Sequence, residues 1–135
     1  MPNISKATYF KASLEDKPGA LLNIVQELKA KNIGLCGLWG YATHDGKGEL
    51  YALPKDASKL KRLWKTKRIL MEEGTCFWIT GADRTGALVK HLEALAKAGV
   101  NLTATDAVGI GGKFASIIWV KPKDVKKAAK ALGVS

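Results

Sequence analysis

A six-residue stretch occurs twice. Asp16-Lys17-Pro18-Gly19-Ala20-Leu21 returns as Asp83-Arg84-Thr85-Gly86-Ala87-Leu88, 67 residues later. Each copy follows an alternating run and precedes a helical one. A strand-to-helix turn with an acid and a glycine presents free backbone N–H groups at a helix start. In a chain of 135 residues, a duplication in register leaves room for two copies of one small unit. Units of about 60–70 residues bury little surface alone and gain by packing together.

The runs around the turns set the elements. In Thr8–Leu14, Phe10, Ala12 and Leu14 share one face, as in a half-buried strand. Leu21, Val25 and Leu28 then recur at helical spacing, flanked by Leu22 and Ile24. Ile33–Thr43 reads as a glycine-rich strand, His44–Gly48 as a hairpin turn and Glu49–Leu53 as the return strand. A second helix begins at Pro54-Lys55-Asp56, with Asp56 as its cap and Ala57, Leu60, Leu63 and Trp64 as its stripe. Ile69-Leu70-Met71 reads as a fourth strand, joined by the short link Glu72-Glu73-Gly74 to the next strand at Thr75–Thr80.

The second pass repeats the first. Leu88, Leu92 and Leu95 mark a helix, Thr103–Ile110 and Lys113–Val120 a hairpin about Gly111-Gly112, and Val125, Ala128, Ala129 and Leu132 the last helix. The chain then stops, so the second unit is expected to lack its last strand. The predicted class is α+β: two ferredoxin-like βαββαβ units, residues 1–73 and 74–135, each an antiparallel sheet with helices on one face.

The net charge of +10 falls in two segments. Lys55–Arg68 carries +6 and Lys121–Lys130 carries +4, at equivalent places in the repeat. They read either as solvated helix faces or as surfaces for an acidic partner, a protein or a nucleic acid. Cys36 and Cys76 lack metal spacing and read as small strand residues in a reducing compartment. No apolar run is long enough to span a membrane, and the N-terminus lacks a signal-peptide core, so the expected location is cytoplasmic. His44 and His91 have no Cys or Asp partner at metal or triad spacing and are expected at the surface. No paired carboxylates, nucleophile–base set or metal cluster can be assembled, so no catalytic residue, metal or cofactor is expected.

The two turns resemble the D-x-P-G-x-L motif of ACT domains, small regulatory modules that bind amino acids. The second copy has Thr85 in the proline place. Gly99-Val100-Asn101-Leu102 is similar to that family's segment leading into the second strand. The resemblance covers residues from about 7 to 132. It implies a ligand between two ACT-like units, with one unit's turn facing its neighbour's second strand. Gly19, Ala20 and Leu21, and separately Gly86, Ala87 and Leu88, would offer N–H groups to a carboxylate. Asp16 and Asp83 would accept the ammonium, assisted by Asn101.

Other readings of the same residues stay open. Asp16 and Asp83 also suit helix capping. Trp39 and Tyr41 line a pocket or pack, and Asp106 is either exposed or a ligand contact. The leading function is a non-catalytic sensor of an amino acid or similar zwitterion, in a homo-oligomer such as a dimer. The alternative is an RNA-binding protein. Its sheet would stack bases on Phe114, within the RNA-recognition-like run Gly112–Ile117. Against it, the positive charge falls on helices rather than on the sheet.

Overall fold

The computed structural model describes residues 3–134. The elements are β1 (Asn3–Glu15), α1 (Ala20–Ala30), β2 (Leu35–Ala42), β3 (Lys47–Pro54), α2 (Ala57–Thr66) and β4 (Leu70–Ala82). They continue as α3 (Val89–Lys97), β5 (Leu102–Ile110), β6 (Lys113–Val120), a 3-10 turn at Pro122–Asp124 and α4 (Val125–Leu132). The chain forms two compact units. The first is residues 8–74; the second is the described part of residues 1–7 and 75–135.

In the first unit the strand order is β2-β3-β1-β4, with residues 70–74 of β4 at one side. The β1/β3 pair is antiparallel with Phe10 opposite Ala52, and the β2/β3 pair is antiparallel with Trp39 opposite Tyr51. Alternation puts Phe10, Ala12, Leu50 and Ala52 on one face, where they meet Leu28 of α1 and Leu60 and Trp64 of α2. Asp56 caps α2 as its sequence suggests, its carboxylate accepting from the Lys59 N–H at 3.2 Å. The stripe on α1 is narrower than expected. Leu28 is buried and Ile24 packs on the core, while Leu21, Leu22 and Val25 are exposed.

In the second unit β4 pairs with β6 and β6 with β5, both antiparallel. Phe77, Ile79, Phe114 and Ile118 meet Leu95 of α3 and Ala128, Ala129 and Leu132 of α4. The expected lack of a fourth strand is corrected here. Residues 3–7 of β1 belong to this unit, β1 neighbours β4, and Ile4 packs against its core. The strand comes from the far end of the sequence, so a linear pass could not assign it. A second correction concerns residues 72–74, which are not a link but part of the continuous 13-residue strand β4. Gly74 has a packing reason: a Cβ there would stand 2.8 Å from the ring of Tyr9.

The duplication reaches fine detail. The ladder register shifts between Leu35 and Gly37 in β2 and between Leu102 and Ala104 in β5, the same places in the repeat. All four α-helices end alike. Asn32, Arg68, Gly99 and Gly133 have left-handed φ of 57°, 59°, 75° and 77°. Each donates its N–H to the carbonyl three residues back, and the following residue donates to the carbonyl five before itself.

Candidate functional site

The turn between β1 and α1 carries the first cleft. Asp16 N–H is held by the Gly46 carbonyl at 3.1 Å, and Ala20 N–H by the Lys17 carbonyl at 3.3 Å. Gly19 occupies the N-cap position with φ of 88°, and no side chain caps α1. The N–H groups of Leu21 and Leu22, which a capping side chain would take, therefore face no capping group. Neither Asp16 nor Asp83 acts as a cap, which closes that reading.

A cavity of about 210 Å³ opens beside this turn. Asp16, Lys17, Ala20 and Leu21 form one wall, and Gly40, Tyr41 and Ala42 of β2 with Glu49 of β3 form the other. Tyr41 donates to Glu49 Oε1 at 2.8 Å, and Lys11 Nζ lies 3.1 Å from the same oxygen. The Tyr41 hydrogen bond holds the Glu49 carboxyl below its usual range despite partial burial. The Tyr41 hydroxyl is pushed up, first by its hydrogen bond with Tyr51. Glu49 thus stays charged and Tyr41 neutral at physiological pH, on the face of the sheet opposite Leu50. Trp39 stacks on Tyr51 with centroids 5.7 Å apart, so it packs rather than lines this cleft.

The second unit repeats the arrangement. A cavity of about 320 Å³ lies between Asp83, Gly86, Ala87 and Leu88 of the turn and Ala107, Val108 and Gly109 of β5. These β5 residues match Gly40, Tyr41 and Ala42 at the same offset. Asp83 N–H is held by the Gly112 carbonyl at 2.9 Å, and a Cβ on Gly109 would stand 2.7 Å from Asp83 Oδ2. The missing Cβ is what lets the carboxylate lie over β5. Here the helix begins later, at Val89, with Leu88 as an N-cap that offers no side-chain bond.

The structure therefore gathers Asp16, Ala20 and Leu21 beside one cavity, next to Gly19, and Asp83, Gly86, Ala87 and Leu88 around the other. Asn101 is not among them. It immediately precedes β5, whereas Gly109 is near that strand's other end, about 26 Å along an extended chain. Asp106 is exposed; its Oδ1 accepts the Ile117 N–H at 3.3 Å, a bond within the ladder. Of the two pocket candidates on β2, Tyr41 lines the cleft and Trp39 does not; sequence reasoning missed Glu49 and Gly109, for which the β2 and β5 glycines were the available signal.

Two further expectations are corrected, those for Phe114 and His91, while both cysteines lie on strands as expected. Phe114 is buried in the second core beneath the helices, so it presents no ring for base stacking. His91 is buried as well, because His91 and Leu95, four residues apart, share the inward face of α3. Cys76 is fully buried, which pushes its thiol up to about 12, whereas Cys36 is exposed on β2. Among the described residues no group of three or more His, Cys, Asp or Glu could hold a metal ion. Nor is any helix there long and apolar enough to cross a membrane.

The fold is α+β with an antiparallel sheet, and it is shared with the solved structures that follow. Protein BT0572 from Bacteroides thetaiotaomicron superposes with a TM-score of 0.83 at 22% identity, over 96% of this chain and 88% of that one. The ligand-free regulatory subunit of aspartate kinase from Thermus thermophilus gives 0.65 at 14% identity, over 98% and 94%. A C-terminal regulatory domain of aspartate kinase from Porphyromonas gingivalis, so described provisionally, gives 0.53 at 12%, over 98% and 95%. No family model matches the chain, and no curated protein matches it.

Proposed function

We propose that this chain is a non-catalytic regulatory module that binds an amino acid or similar small zwitterion. It consists of two ferredoxin-like, ACT-like domains divided near residues 73–74, with residues 3–7 assigned to the second. The observation that carries the reading is the paired arrangement of an uncapped helix start and an adjacent aspartate, built twice. Open N–H groups favour a carboxylate, and Asp16 or Asp83 favours an ammonium within the same small cleft. The fold shared with aspartate kinase regulatory subunits supports a regulatory role.

A second copy of the chain completes each cleft in this reading. Tyr41 on β2 is 50% exposed, and Val108 and Ile110 on β5 are 57% and 76% exposed. Apolar edges of this kind are templates for pairing with another chain. Asn101 enters only as a residue donated by that second copy. Thermal shift against the amino acids tests the site. Ligand at a hundred times its dissociation constant adds about 2.7 kcal/mol of stability. Asp16→Asn and Asp83→Asn together should abolish the shift at unchanged melting temperature; a double variant that still responds like the parent refutes the assignment.

A further inference from the structure

We infer that the first unit carries a further site for a small organic anion, in the groove where the chain leaves α2 and enters β4, next to the first cleft. The groove holds about 670 Å³, within the range of small-molecule pockets. Leu14, Ile24 and Ile69 supply its apolar surface, and Asn23, Lys47 and Arg68 its polar one. Two carboxylates also line it, but each has its own cation: Glu15 pairs with Lys17 at 3.5 Å and Glu27 with Lys67 at 2.9 Å. Lys47 and Arg68 have no ion-pair partner among the described residues. The groove lining thus carries Lys17, Lys47, Lys67 and Arg68 against Glu15 and Glu27, a net positive surface beside an apolar one, which suits a phosphate or carboxylate on a compact apolar body.

The backbone at Arg68 gives an independent argument. Of the four left-handed helix exits, two are glycine and one is asparagine, the residues that tolerate this conformation. Arg68 is the exception, at φ of 59°, where the matching exit of α4 has Gly133. An arginine at such a position is strained, and residues held in strain concentrate at ligand sites. The groove adjoins the first zwitterion cleft and shares Leu14, Glu15, Lys17 and Ala20 with it, but its cations Lys47 and Arg68 do not line that cleft.

Phenyl phosphate is a suitable probe, followed by amide chemical shifts on the full chain. It should perturb residues 13–15, 23–27 and 67–69. Inorganic phosphate and benzyl alcohol, each carrying half the chemistry, should bind at least about ten-fold more weakly. Arg68→Gly should melt higher than the parent yet bind phenyl phosphate about ten-fold or more weakly, and Lys47→Gln should weaken binding as well. Asn32→Gly, at an equivalent exit outside the groove, should leave binding unchanged. Undiminished affinity in both Arg68→Gly and Lys47→Gln, or perturbations confined to other residues, overturns the inference.

Discussion

His91 is a titratable group in a helix core face, and burial holds its pKa below the ordinary value, assisted by Lys90. The folded chain thus favours the neutral imidazole. The stability this contributes is fully present above the unfolded value of about 6.5 and is lost as pH falls through the lower folded value. The melting temperature should fall between pH 7.5 and pH 5, and His91→Leu should flatten that dependence. Equal slopes in the two proteins would place the protonation elsewhere. By spacing alone, Leu88, Leu92 and Leu95 mark a stripe that leaves this residue outside it. The real inward pair is His91 and Leu95, and Leu92 turns out to be 38% exposed. The glycines of the two turns were legible because their left-handed φ of 88° and 76° demands them locally. Glu49 was not, since it reaches the cleft from β3 through the pairing of Tyr41 with Glu49, which no local pattern encodes.

At the scale of elements, helix ends and hairpins were readable from turn chemistry, whereas strand continuity was not. Glu72-Glu73-Gly74 has the composition of a loop, yet it runs through β4. What keeps it extended is a tertiary contact: Tyr9 donates its hydroxyl to Glu72 and lays its ring over Gly74. Tyr9 is only 7% exposed and so has little room to retreat. Gly74→Ala should therefore cost about 1–3 kcal/mol in urea unfolding. Combining it with Tyr9→Ala should make the glycine substitution nearly neutral, a coupling that a double-mutant cycle measures directly. If Gly74→Ala costs the same with and without the Tyr9 ring, the close approach is not what selects glycine.

On the scale of the whole molecule, the 67-residue repeat predicts two units but not how the chain is apportioned between the two compact units observed. Residues 3–7 sit at the start of the sequence and serve the second unit, while residues 70–74 serve the first. Each unit thereby gains a strand that its own contiguous segment, as first read, either lacked or shortened. Ile4 is the apolar residue of 3–7 that packs on the second core, beside Phe77, Ile118 and their neighbours. Ile4→Asp places a charge against that core and should cost about 1–2 kcal/mol, consistent with a half-buried aliphatic side chain. The loss should be local. Amide exchange should quicken in β4 from residue 75 onward and in β6, the strands of that unit's sheet, more than in β2 and β3. Uniform quickening across both units would mean that residues 3–7 serve the chain as a whole rather than the second unit.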